Sequence, residues 1–175
     1  TDNTGFQPGK TTRYWDCCKP SCAWPNKAPL SSDLRTCDAD NNPIVDQNAQ
    51  SGCEDGGVAH TCFDQTPFVA DGQAYGFAAV AISGQFESDW CCACYELRFT
   101  STSIAGETMI VQATNTGGDL GHNHFDLGIP GGGLGIFTTG CEKMGEGQQG
   151  DRTFGGVSRQ SECALMNDPM MQDGC

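Results

Sequence analysis

The chain has no apolar run near the ~20 residues that a membrane-spanning helix requires. Basic residues are scarce: nine Lys and Arg stand against 22 Asp and Glu, for a net charge of −13. Such a surface repels a phosphate backbone or an anionic membrane, so neither nucleic acid nor membrane is an expected partner. A neutral polymer such as a polysaccharide meets no such penalty. Helical periodicity is also thin. The first five residues, Thr1-Asp2-Asn3-Thr4-Gly5, are polar and do not form a signal peptide, so a secreted protein would be represented here by its mature form. No Ser-His-Asp arrangement is legible, and Gly131-Gly132-Gly133 reads as a turn rather than a phosphate loop.

Cysteine and glycine fill the space these absences leave. There are 12 cysteines and 24 glycines in 175 residues. An even cysteine count at this density indicates disulfides and an oxidising, extracellular compartment. Spacing alone leaves the connectivity open. Cys91-Cys92-Ala93-Cys94 lacks the paired knuckles of a structural zinc site, and His122 and His124 read as polar contacts, so no metal and no cofactor is expected. With no repeat and no linker, the expectation is one domain over residues 1–175, acting as a monomer and mainly β with long disulfide-linked loops.

Residues 11–16 are rich in β-formers and read as a strand. Alternation would set Thr12, Tyr14 and Asp16 on one face and Arg13 and Trp15 on the other. Residues 17–67 read as long loops. The Ala-rich stretch 75–83 reads as a short buried helix, with a strand as the alternative. Residues 94–100 and 107–114 alternate cleanly and form an expected hairpin, broken by Gly117-Gly118. Residues 124–129 form a further strand, with Phe125, Leu127 and Ile129 on one face and His124 and Asp126 on the other. Residues 135–137 make a short apolar piece. Ser158 is the expected N-cap of a helix through about Met166. Met166, Met170 and Met171 read as packing rather than a binding surface.

Hydrolysis of a glycosidic bond needs two carboxyl groups, one protonated to release the leaving oxygen and one ionised to activate water. Asp16 beside Tyr14 offers a carboxylate next to a ring on which a sugar can stack. Asp126 stands on a strand backed by apolar residues, an environment that desolvates a carboxyl and raises its pKa. Most of the 22 acidic residues are solvated surface, Glu87, Asp89 and Glu96 among them. From the residues alone, a secreted disulfide-rich β protein is firm and a hydrolase is one reading among several.

The motifs themselves narrow this. Residues 11–22, Thr-Thr-Arg-Tyr-Trp-Asp-Cys-Cys-Lys-Pro-Ser-Cys, resemble the N-terminal signature of glycoside hydrolase family 45 endoglucanases. The likeness recurs at Ser51-Gly52-Cys53, Asp64-Gln65-Thr66-Pro67, Tyr75-Gly76-Phe77-Ala78-Ala79 and residues 90–97. It continues at Thr116-Gly117-Gly118-Asp119-Leu120-Gly121, Asn123-His124-Phe125-Asp126-Leu127 and residues 129–133. The resemblance implies a six-stranded double-psi β-barrel with a few short helices and an open groove. It implies inverting hydrolysis of internal β-1,4 bonds in cellulose or related β-glucans. By position, Asp16 becomes the general base, Asp126 the general acid and Asp119 an auxiliary carboxylate. Thr12, Tyr14, Lys19, Trp24, His124 and Phe154 become residues that contact sugar or support the carboxylates. Phe154 stands where Tyr is common, which keeps a stacking face and drops a hydroxyl. Inversion would place the Asp16 and Asp126 carboxyls roughly 6.5–9.5 Å apart, and Asp119 would raise the acid's pKa by like-charge repulsion.

The resemblance also implies the pairs Cys17–Cys141, Cys18–Cys53, Cys22–Cys91, Cys37–Cys62 and Cys163–Cys175. Cys92 and Cys94 are left over, and their usual partners lie in a further Trp-Arg-Phe strand region beyond position 175. A non-catalytic, wall-loosening relative of this barrel would keep the acid-type Asp and lack the base, so Asp16 argues against it. A defence or inhibitor scaffold explains the cysteines but not the ordered motifs.

Overall fold

The structure, a computed structural model, describes residues 5–146 and 156–175. Its strands are β1 (Lys10–Tyr14), β2 (Thr36–Cys37), β3 (Pro43–Ile44), β4 (Phe68–Ala70), β5 (Gln73–Ala81), β6 (Cys94–Arg98), β7 (Thr108–Thr116) and β8 (His124–Gly128). Short helices α1 (Glu87–Trp90), α2 (Gly140–Lys143) and α3 (Pro169–Gly174) lie between and after them. Six strands form one sheet in the order β1-β8-β5-β7-β6, with β4 added to β5. The protein is thus mainly β with a few short helices, as expected. The described strand pairs run from edge β1 to edge β6 without closing.

β5 is the centre of this sheet, and here the expectation of a helix over 75–83 is overturned. The run Ala78-Ala79-Val80 is small and apolar on both faces, so periodicity does not separate strand from helix. Its place decides: β5 pairs parallel with β7 and antiparallel with β8, and Ala78 and Val80 are fully buried. A strand with both backbone edges bonded and both faces covered takes a continuous apolar run. It is entered from β4 through Asp71-Gly72, both with positive φ, the geometry of a tight hairpin turn.

The expected hairpin is present as β6 and β7, in register from Cys94↔Gln112 to Arg98↔Thr108. β8 alternates as read. β1 is shorter than expected and ends at Tyr14, so Asp16 lies beyond the strand, though it lines one small hollow with Tyr14. Ser158 does not cap a helix; its backbone N–H donates to Glu162, and a 3-10 helix over Gln160–Leu165 begins after Arg159. Residues 17–67 are loops, as read, apart from β2, β3 and a 3-10 turn at Ser21–Ala23.

Two apolar clusters hold the molecule. One gathers Ala78, Val80, Val111, Ala113 and Leu127 from the sheet with Trp90 from α1. The other sets Trp15 and Phe63 against Leu134, Met144, Val157, Met166 and Met171. Met166 and Met171 are buried there, while Met170 is 42% exposed. Five disulfides join the parts, with the pairing the resemblance implied. The Cys17–Cys141 link spans 124 positions, a closure worth ~4–5 kcal/mol in chain entropy. Cys92 and Cys94 are free, the first half-buried and the second exposed.

Candidate active site

Asp126 sits at the middle of β8, opposite Thr12 of β1. This parallel register carries an ordered hydrogen-bond chain. The Gly121 N–H donates to His124 Nδ1 at 3.3 Å, so the His124 proton resides on Nε2. Nε2–H then donates to Thr12 Oγ1 at 2.7 Å. The Thr12 hydroxyl, its lone pair occupied, donates to Asp126 Oδ1 at 2.6 Å. The relay needs a neutral imidazole. Burial, with Lys10 nearby, lowers the His124 pKa and supplies one. The Asp126 carboxyl is raised above its ordinary value. Loss of water is the main cause, opposed by the Thr12 bond and His124, with Asp119 adding a smaller upward push.

Asp16 is positioned differently. Beyond β1 the backbone takes a left-handed conformation at Cys17, whose φ is 59°. The Asp16 side chain spans this residue in a local Asx-type turn, Oδ1 accepting from the Cys18 N–H at 2.9 Å. The next two residues are both bridged, Cys17 to Cys141 and Cys18 to Cys53. Gly140, at the start of α2, lies against this turn: a Cβ there would stand 2.5 Å from both the Asp16 carbonyl oxygen and Cys53 Sγ. Only glycine lets α2 come this close. Burial raises the Asp16 carboxyl to about 6, with the Cys18 N–H pulling it down and Asp126 adding to the rise.

Tyr14 stands between the two carboxyls in electrostatic terms. Its phenol is pushed well above the usual value by burial first, then by Asp16, with Asp126 contributing less. Tyr14 and Asp16 line one small hollow with Thr61, Gln65, Phe77 and Thr114. A larger cavity of about 660 Å³ shares Gln65 and Phe77 with it and is otherwise lined by residues 29–35, Asp64, Cys92 and Gln112, with neither carboxylate in its lining.

Lys19 is 5% exposed, and its ammonium donates to the Gln47 and Ala49 carbonyls at 2.6 and 2.9 Å. It also caps the Trp24 ring, 3.4 Å from the centroid. Lys19 therefore props Trp24 rather than offering a free cation. Asp119 is exposed on the loop after β7 and couples electrostatically to Asp126 and His124. Phe154 lies outside the described residues. One residue the sequence reading missed is Asn115, whose Nδ2 donates to the Tyr14 hydroxyl at 3.2 Å. That reading ended the strand at 114, whereas β7 runs through Thr116.

Comparison with known proteins places this geometry. The model of Glycosyl hydrolase family 45 matches residues 8–175. An endoglucanase from Cryptopygus antarcticus is 57% identical over 161 residues, covering 89% of this chain and 69% of that protein. A putative endoglucanase type K from Fusarium oxysporum is 53% identical over 168 residues, covering 95% of this chain and 44% of that one. The crystal structure of a cellulase from the Antarctic springtail Cryptopygus antarcticus superposes with a TM-score of 0.87 at 54% identity, over 95% of this chain and 80% of that one. The chain belongs to glycosyl hydrolase family 45.

Proposed function

We propose that the chain is a secreted endoglucanase that hydrolyses internal β-1,4 bonds of cellulose and related β-glucans with inversion, Asp126 as general acid and Asp16 as general base. The observation that carries this is the joining of two desolvated carboxyls at one site by different means, one on a strand and one on a bridged turn, with Tyr14 coupled to both. Loss of water favours the protonated form of Asp126, and a bound glucan removes more. Donation to the glycosidic oxygen then leaves a carboxylate stabilised by the Thr12 hydroxyl. Asp16, ionised above about 6, takes the proton of the attacking water. Trp24, with Lys19 beneath it, offers its open face to a sugar ring. Asp119 tunes Asp126 electrostatically, and Phe154 serves as a further stacking surface.

The finer reading of the fold is a six-stranded double-psi β-barrel. It is supported by the parallel pairs β1·β8 and β5·β7 flanking the antiparallel pair β5·β8. Ahead of β1, the Phe6 ring meets Arg98 at the end of β6, 3.7 Å from the guanidinium carbon, so the two sheet edges approach one another there. Five disulfides suit an oxidising, extracellular setting.

The test is hydrolysis of a soluble cello-oligosaccharide followed by NMR. The α-anomer is the expected first product, and loss of turnover is expected in both Asp16→Asn and Asp126→Asn. A β-anomer, or full activity in either variant, would refute the assignment. One observation favours a second reading in which the roles are exchanged: Asp16 is held at about 6, a value suited to a proton donor.

A further inference from the structure

We propose that Asn115 is a positioning residue that acts through Tyr14, forcing the Tyr14 hydroxyl to serve as a hydrogen-bond donor to the sugar held between Asp16 and Asp126. The inference rests on the glucan-hydrolase reading of this site.

The geometry begins with a bulge. Along β5 and β7 the pairing passes from Ala78↔Ala113 to Ala79↔Asn115, so Thr114 is the extra residue. A bulge re-aims the side chains that follow it, and bulges concentrate beside active sites. Here it turns Asn115 toward β1, which lies beyond β5 and β8 in the order of the sheet. The amide is then fixed from its other end. Oδ1 accepts the backbone N–H of Ser21 at 2.8 Å. That donor can meet only an oxygen, so Nδ2 must face Tyr14 and must donate. Ser21 is itself anchored. Its hydroxyl donates to Thr116 Oγ1 at 3.0 Å, and Thr116 donates to Glu87 Oε1 at 2.8 Å. Glu87 is paired with Lys27 at 2.5 Å, and the Trp90 indole N–H donates to the same Thr116 oxygen at 3.2 Å.

The consequence concerns one proton. Because Asn115 donates to the phenol oxygen, the phenol's own hydrogen must point elsewhere. The bond from Asn115 is the one hydrogen bond of this oxygen among the described residues. The phenol shares one small hollow with Asp16, and the charges of Asp16 and Asp126 both act on it. A sugar oxygen bound there meets a donor whose orientation is set before binding. Such bonds strengthen as charge develops on the ring, so the benefit falls on turnover more than on affinity.

Asn115→Asp tests this with almost no change of shape. The carboxylate still accepts from Ser21, but it also accepts from Tyr14, reversing that bond and withdrawing the phenol's proton from the sugar. The expected result is a kcat reduced about tenfold or more with KM changed less than threefold. Tyr14→Phe should fall similarly, and Asn115→Asp should cost less than twofold more in the Tyr14→Phe background. A loss caused merely by the added charge or by a disturbed fold would persist in that background and would overturn the proposal. So would a kcat within twofold of wild type. A second readout needs no activity. The Tyr14 Raman doublet, isolated by subtraction of the Tyr14→Phe spectrum, should shift from a donating-and-accepting phenol toward a strong donor in Asn115→Asp; no shift would overturn the proposal. If the wild type releases no reducing sugar from carboxymethylcellulose, the functional reading fails separately, and the Raman comparison still decides how Asn115 and Tyr14 are joined.

Discussion

The two carboxylates of this site are neighbours held by unlike means, Asp126 by sheet pairing and a hydroxyl relay, Asp16 by a turn that two disulfides and a glycine contact confine. The Asp126 arm is built from hydrogen bonds, and one of its members, His124, is titratable. The Asp16 arm has few hydrogen bonds and leans on covalent links flanking the turn. The sheet sets direction through strand register but its relay, through His124, responds to protonation. The bridged turn carries one titratable group, Asp16 itself, and depends on oxidation. The difference gives each arm its own point of failure.

The largest effect separates the arms by chemistry. Asp16→Asn and Asp126→Asn should each lower kcat on cellulose by about 10²–10⁴. On an aryl cellobioside with a good leaving group, protonation of the leaving oxygen matters less. Asp126→Asn should then recover much of its rate, while Asp16→Asn should stay low. The opposite outcome would exchange the roles and favour the reading in which Asp16, with its raised pKa, is the acid.

Next in size is the loss of a covalent restraint. Replacing both Cys18 and Cys53 by Ser opens a link that spans 35 positions and should cost about 4 kcal/mol of stability in chemical denaturation. Below the new midpoint kcat should fall by roughly tenfold, since a 1 Å misplacement of a catalytic group is felt at that scale. The alkaline limb of the pH profile, which the proposed roles assign to Asp126 as acid, should not move. A shift there would mean that the two arms are coupled more tightly than their structures indicate.

Smaller still is the effect of the relay. Thr12→Val removes the hydroxyl that stabilises ionised Asp126. The Asp126 pKa should rise further, so its protonated, donating form should persist to higher pH. The alkaline limb should move up by about one unit, with kcat at the optimum lowered several-fold. An unchanged limb would show that the Thr12 contact is not maintained in solution.

How much of this was readable beforehand divides along the same line. Strand alternation exposed the Asp126 arm directly: the 124–129 pattern puts Asp126 and His124 on one face, and β8 has that face. For Asp16 alternation was less direct, because the strand stops at Tyr14 and the left-handed Cys17 after Asp16 is a feature no period of two can signal. Motif likeness found Asp16, and it supplied the disulfide pairs that spacing left open. β5 was misjudged because small apolar residues satisfy either period, and only a place between two paired strands settles the matter. Asn115 was invisible because a one-residue bulge sets its direction, and a bulge depends on the partner strand as much as on its own sequence.

The smallest expected effect is also the one with an unusual sign. Asp16 titrates near 6 in the folded chain against an ordinary 3.8, so folding favours its protonated form. Between pH about 4 and 6 the unfolded chain gives up this proton first, and stability falls as pH rises through that window. Above about 6 the deficit is complete and constant. Asp16→Asn removes the charge and keeps the oxygen that accepts from Cys18. At pH 7 the variant should therefore be more stable than wild type by about 1–2 kcal/mol, discounted for the partial exposure of the turn. Near pH 4 the two should unfold together. Thermal unfolding across this range reads the difference, and equal stability at pH 7 would show that Asp16 is better solvated than its place in the turn indicates. A gain at neutral pH alone would show that the carboxylate is kept at a cost to the fold, in the arm where disulfides supply the compensating restraint.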